Sequence, residues 1–180
     1  MTYLALLRGI NVGGKNVIKM ADLKKLFEEE GYQHVQTYIQ SGNVIFTSPE
    51  TDQAQLTEKI EQMLASAFSY HGKIVLVSRD ELEQVISDMP SLWHSEDLRC
   101  YISFVRPPSL PEEIAKEMKL TATDTLTEGK GVLYMATRAD GLTDSGFSKG
   151  SGTKWYQEIT IRNLATCEKL LELMKDVRAE

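Results

Sequence analysis

Apolar and polar positions along this chain switch between a strand-like and a helix-like period, and the switches mark its elements. Residues 3–10 (Y-L-A-L-L-R-G-I) are mostly apolar without alternation, the pattern of a central strand buried on both faces. Gly9 and the Gly13-Gly14 pair punctuate its end. Met20, Leu23, Leu26 and Phe27 recur at helical spacing and predict a helix over 20–30, with Gly31 placed to end it in a left-handed conformation. Two β-rich runs, 35–40 and 43–47, flank Ser41-Gly42-Asn43. They predict an antiparallel pair joined by a type II′ turn with Gly42-Asn43 at its centre. Leu56, Ile60, Met63, Leu64 and Ala67 then share one face of a longer helix, with Thr51 or Asp52 as its N-cap and Gly72 as its stop. Residues 73–77 (K-I-V-L-V) close the series as a strand. The order β-α-β-β-α-β over residues 1–78 is that of a ferredoxin-like, or α/β-plait, sandwich.

The second half repeats much of this order. A helix is predicted over 80–88, a strand over 99–105, a turn at Pro107, Pro108 and Pro111, and a helix over 112–119. A hairpin follows, 123–127 with 132–137 around E-G-K-G, and then a final helix with the apolar stripe Leu164, Cys167, Leu170, Leu171 and Met174. The fold class is therefore α+β, with two ferredoxin-like domains built on antiparallel sheets. The second, over 79–180, reads β-α-β-β-α and lacks a clear last strand. Residues 140–153 form the one long segment of loop composition, and such loops are disproportionately functional.

Composition narrows the function classes. The chain of 180 residues carries 20 Lys+Arg against 26 Asp+Glu, a net charge of −6, so the whole molecule is no electrostatic glove for DNA or anionic lipid. Two cysteines, Cys100 and Cys167, make neither a disulfide framework nor a paired thiolate zinc motif. No apolar run approaches a membrane span and no basic segment precedes the first apolar stretch, so the expectation is a cytoplasmic protein outside the membrane.

Three stretches carry a family resemblance: L-L-R-G-I-N-V-G-G-K-N at 6–16, Y-I-Q-S-G-N-V-I-F at 38–46, and T-I-R-N-x-x-T at 160–166. Together they resemble the bacterial family known as domain of unknown function 1697. The resemblance implies two α/β-plait domains and brings no established activity with it. It also implies a longer helical segment before Thr160 and an aromatic residue after Asn163, where Leu164 stands.

Counting strand directions through the first domain gathers scattered residues on one edge. If the first strand runs upward, its exit loop, the Ser41-Gly42-Asn43 turn and the His71-Gly72-Lys73 segment all lie at the top. Arg8, Asn11, Gly13, Gly14, Lys15, Asn16, Ser41 and Asn43 are the candidate ligand-binding residues there, with Lys73 as a further member. Consecutive N–H groups in a Gly-rich turn form an anion-binding nest, and Lys15 adds a charge of the right sign. Charge is also segregated: residues 1–25 sum to +4 and residues 26–70 to −6. Arg162 and Asn163, read as the start of the last helix, complete the candidate set, with Asn163 as N-cap and Arg162 beside a helix N-terminus.

Other chemistry is poorly represented. Gly9-x-x-x-x-Gly14-Lys15 nearly satisfies the phosphate-binding P-loop, but Asn16 replaces its Ser or Thr and the next helix starts too late. His34, His71 and His94 are isolated, so no metal site is expected. Ser151-x-x-Lys154 has no partner motif, and both cysteines sit at core positions, so no catalytic residue and no cofactor are assigned. Trp93 and the Trp155-Tyr156 pair read as packing groups before stacking platforms, and Tyr38 and Phe46 alone give thin support to RNA binding on the sheet. The leading expectation is a non-metal protein binding a phosphorylated small molecule or a short single-stranded nucleic acid at this edge. The rival is a protein-interaction or homodimeric scaffold module, and whether any reaction is catalysed stays open.

Overall fold

The computed structural model describes residues 1–14, 16–94, 97–141, 145–150 and 152–177. The chain divides into two compact units, Met1–Leu82 with Lys169–Glu180, and Glu83–Glu168. In the first, β1 (Thr2–Leu7), α1 (Met20–Glu29), β2 (Gln33–Tyr38), β3 (Asn43–Thr47), α2 (Gln53–Phe68) and β4 (Ile74–Ser78) follow in order, and α3 (Arg79–Ser87) leads out. The strands form one antiparallel sheet in the order β2-β3-β1-β4. This is the α/β plait expected from the element order.

Every residue of β1 is buried, as its unbroken apolar run requires of a strand in the middle of a sheet. Tyr3, Ala5 and Leu7 join Val44, Phe46, Ile74 and Leu76 in a core with Leu23 and Phe27 of α1 and Leu56, Ile60 and Leu64 of α2. Phe46 sits at its centre, with ring centroids 4.8 Å from Tyr32, 5.3 Å from Phe27 and 5.9 Å from Tyr3. It therefore packs into the core, where no nucleic-acid base can stack on it. The α2 helix begins as expected, with the Asp52 carboxylate accepting from Ala54 N–H (3.0 Å) and Gln55 N–H (3.1 Å).

Two turns differ from expectation. The β2–β3 connection is no two-residue turn: Tyr38 pairs with Asn43, leaving four residues between them, with Ile39 (φ +50°) and Gly42 (φ +76°) left-handed. Asn43 belongs to the strand because its backbone pairs with Tyr38 and Leu6, while its side chain donates to Tyr38 O and to Ser41 Oγ of the turn. The stop of α2 is Ser69 (φ +52°), three residues before Gly72, because the chain must turn early to bring Tyr70 under the sheet edge.

The second unit holds β5 (Leu98–Val105), α4 (Pro111–Glu117), β6 (Asp124–Gly129), β7 (Val132–Arg138), the short α5 (Lys154–Gln157), β8 (Ile159–Asn163) and the first turns of α6 (Leu164–Asp176). Its sheet order, β6-β7-β5-β8, reproduces the first sheet strand for strand. The last strand that the sequence reading left out is thus present. β8 pairs with β5 from Tyr101↔Asn163 to Val105↔Ile159. Its β-branched I-T-I was a strand signal, but strand and helix meet at Asn163 with no turn residue between them. Asn163 still acts as expected, its Oδ1 accepting from Thr166 N–H at 2.7 Å. Arg162, by contrast, lies inside the strand and is 8% exposed. The segment before Thr160 is shorter in helix than the resemblance implies, α5 being a single turn among the described residues.

Candidate functional site

The edge at the end of β1 is assembled by hydrogen bonds between segments far apart in sequence. Leu7 N–H donates to Gly42 O at 2.8 Å. The Tyr70 hydroxyl accepts from Arg8 N–H at 3.0 Å and donates to Arg8 O at 2.6 Å. One phenol thus satisfies both backbone groups of a residue that has just left the sheet.

Beyond Arg8 the chain forms a closed loop. Asn11 N–H donates to Asn16 O at 3.2 Å, and Asn16 Nδ2 donates to Gly9 O at 3.1 Å. The Asn11 side chain holds the loop down: Nδ2 donates to Ile18 O (2.9 Å) and Gln40 O (3.0 Å), while Oδ1 accepts from Ile18 N–H (2.9 Å). Gly9, Asn11, Gly13, Gly14 and Asn16 all have positive φ, from +48° to +73°. An ideal Cβ at Gly9, Gly13 or Gly14 would meet nothing within 4 Å, so conformation rather than crowding demands glycine there. Asparagine is the side chain that best tolerates the same region. Gly13 and Gly14 are exposed, and Val12 and Val17 beside them are 66% and 72% exposed.

The residues picked out in the sequence divide by role. Arg8 is half-buried at the loop mouth, and Gly13, Gly14 and Asn16 stand exposed on the loop. Lys15 lies outside the described residues. Asn43 is fully buried, and its Nδ2 donates to Tyr38 O (2.9 Å) and Ser41 Oγ (3.0 Å), so Asn43 and Asn11 act as struts beneath the edge. Lys73 pairs with Glu61 at 3.3 Å, and Lys24 and Lys25 pair with Glu28 and Glu29 along α1. The charge segregation in the sequence is therefore partly cancelled locally. Arg162 and Asn163 belong to the second unit, in the setting described above. Sequence reasoning missed Tyr70 and Gln40, whose partners lie 62 and 29 residues away.

Removing the strut is expected to loosen the edge. Asn11→Ala deletes three hydrogen bonds at a half-buried site and should cost about 1 to 2 kcal/mol, with faster amide exchange confined to residues 9–18 and 40–42. Unchanged exchange there would contradict the role of Asn11.

Helix α1 begins at Met20, five residues past Lys15, and the sheet is antiparallel, so the loop is not a P-loop. Among the described residues no group of three His, Cys, Asp or Glu side chains is placed to hold a metal ion. Ser151 of the Ser-x-x-Lys match lies outside the described residues. Cys100 and Cys167 are free and buried, and burial pushes the Cys167 thiol up to about 12, far from a reactive thiolate. Trp93 (5% exposed) and Trp155 (7% exposed) are core residues.

The family described as "Protein of unknown function (DUF1697)" matches residues 1–134. The chain belongs to the DUF1697 family. No curated protein matches it. Among solved structures this DUF1697 protein is similar to the conserved bacterial protein SP0830 from Streptococcus pneumoniae, at 29% identity and a TM-score of 0.85, over 96% of this chain and 98% of that one. Two of the three sequence landmarks fall inside the DUF1697 match and the third, at 160–166, lies beyond it. Among the described residues of this DUF1697 protein no helix is long and apolar enough to cross a membrane.

Proposed function

We propose that the loop 9–16 and the β2–β3 turn form a binding edge for the phosphate of a small phosphorylated molecule or of a short single-stranded nucleic acid. The observation that carries this reading is the presence of five left-handed residues, Gly9, Asn11, Gly13, Gly14 and Asn16, in an exposed loop that Asn11 and Asn16 hold closed. A preorganised set of backbone donors loses little freedom on binding, and that is where affinity for a small anion originates. Arg8 and Lys15 supply positive charge, and no metal-dependent step is part of the proposal. Two buried thiols without a disulfide are consistent with a reducing, cytoplasmic setting.

The test is a thermal-shift titration of the full chain with nucleotides, phosphorylated sugars and short RNA and DNA oligomers. A ligand at one hundred times its dissociation constant adds about 2.7 kcal/mol of native-state stability, a rise of roughly 5 to 10 °C for a protein of this size. The rise is expected to grow with the logarithm of ligand concentration once that exceeds the dissociation constant, and to disappear in Lys15→Glu while that variant melts normally without ligand. No shift across the panel would overturn the reading.

A second reading is favoured by the apolar side chains at the same edge. Val12, Val17 and Ile39, the last adjacent to the Gln40 that Asn11 grips, are 66%, 72% and 49% exposed. They suit contact with a protein surface, including a second copy of the chain, so the same protein should also be weighed by sedimentation. A dimer disrupted by Val17→Asp, with no ligand shift, would favour this interaction module.

A further inference from the structure

The opposite end of the first sheet holds a second concentration of unusual features. β2 begins with a bulge: Gln36 pairs with Ile45, but Gln33 pairs with Thr47, so His34 and Val35 stand against Phe46 alone. His34 carries the irregularity, with φ +51°. Bulges re-aim side chains and gather at edges and near functional sites.

The imidazole reaches a threonine on the neighbouring strand. The Thr47 hydroxyl donates its single proton to Gln33 O at 3.2 Å. The 3.2 Å contact between Thr47 Oγ1 and His34 Nδ1 is compatible with the tautomer in which Nδ1–H donates to Oγ1. In that tautomer Nε2 is an acceptor.

His34 lines a cleft of about 560 Å³, together with Thr47, Ser48, Ser78, Arg79 and Asp80. That volume lies in the range of small-molecule sites. Helix α3 starts here, capped reciprocally by Ser78 and Glu81: Ser78 N–H and Oγ donate to the Glu81 carboxylate (both 2.8 Å) and Glu81 N–H donates to Ser78 Oγ (3.3 Å). Two nearby acids are directed onto protein donors. Glu81 also accepts from Gln53 Nε2 (2.8 Å), and Glu50 accepts from Thr51 and Asp52 N–H (2.8 Å each). Arg79, first in the helix, has a side chain 42% exposed and pairs with neighbouring Asp80 at 3.2 Å, a surface pairing that an incoming anion exchanges at little cost.

We propose that this cleft is a second ligand site, separate from the loop edge, for a small polyhydroxylated anion. Its charged group pairs with the Arg79 guanidinium at the start of α3, and one of its hydroxyls donates to His34 Nε2. Guanidinium forks recognise carboxylate and phosphate alike, so a sugar acid and a sugar phosphate share the required chemistry. An acceptor nitrogen beside a guanidinium favours a hydroxylated anion over an apolar acid.

The experiment follows the imidazole signals of the full-length, histidine-labelled protein by NMR during titration with gluconate, glucose 6-phosphate and uncharged glucose. His34→Asn assigns the His34 signal, since asparagine also accepts positive φ and preserves the bulge. Gluconate, glucose 6-phosphate or both are expected to shift that signal saturably, at least about tenfold more tightly than glucose, because the charge-assisted contact is lost with the neutral sugar. Which of the two binds identifies carboxylate or phosphate as the partner of Arg79. Arg79→Gln is expected to weaken the anion by a similar factor while leaving the His34 signal of the unliganded protein in place. A His34 signal unmoved by millimolar gluconate and by millimolar glucose 6-phosphate alike, or moved equally by glucose, would overturn the proposal and leave the bulge as protection of an edge strand.

Discussion

Gly42→Ala is expected to destabilise the protein by about 2 to 4 kcal/mol, combining the strain of a left-handed alanine with overpacking, less the smaller entropy of the unfolded chain. A Cβ built on Gly42 would lie 2.7 Å from Leu7 Cβ and 2.7 Å from Ile10 Cδ1, and the φ of +76° already disfavours any side chain. Gly42 O also accepts the Leu7 N–H, so a displaced turn loosens the exit of β1 and the loop beyond it. Gly14→Ala is the matched control. Its φ of +73° is nearly the same but its Cβ would meet nothing within 4 Å, so only the conformational part, about 1 kcal/mol, should appear. Urea midpoints of the two variants measure the difference. Equal losses would mean that crowding against Leu7 and Ile10 has no role in placing glycine at 42.

Asp124→Ala is the second large effect, expected at about 2 to 3 kcal/mol near neutral pH, because it removes a charged acceptor on which four donors converge. Asp124 accepts from Thr121 N–H (2.9 Å), Thr121 Oγ1 (2.9 Å), Ser145 Oγ (2.7 Å) and Gly146 N–H (2.8 Å). It thereby fastens Ser145 and Gly146 to the start of β6, where the carbonyl of Lys119 leaves no room for a Cβ on Gly146. Burial alone would raise the Asp124 carboxyl, but the bonds from Thr121, Ser145 and Gly146 outweigh it and hold the group below the ordinary aspartate value. A carboxyl lowered by folding stabilises fully above its unfolded value, and the contribution disappears as pH falls through the lower folded value. The gap between wild type and Asp124→Ala should therefore be constant above about pH 5 and narrow as acid is added below about pH 4. Urea midpoints across that range check it. A gap that widens with acid would show that the hydrogen bonds do not favour the carboxylate.

Much of the first unit was legible because its signals are local. The run at 3–10 lacks alternation because β1 is buried on both faces, and the helical stripe from Leu56 to Leu64 faces the core that its spacing implies. Topological counting also brought the β1 exit, the 41–43 turn and the segment before β4 to one edge. The details of that edge were less legible. Asn11 and Asn43 look alike to a sequence reader whether they point at a ligand or at the protein, and three-dimensional contacts turn both inward. β8 was missed for a different reason: a five-residue strand followed at once by a helix has no turn residue to announce it.

The sequence by itself determined the element order of the first unit, the repeated α+β architecture short of its last strand, and the glycines of the loop after β1, since each depends on periodicity or on backbone freedom within a few residues. Only the tertiary structure decided that Tyr70 secures Arg8 across 62 residues, that Asn11 reaches Gln40, and that His34 is turned left-handed at a bulge facing a cleft. The physical reason is common to all three. A polar side chain's role is set by the partner it finds, and that partner is brought near by packing of the whole sheet rather than by neighbours in the chain.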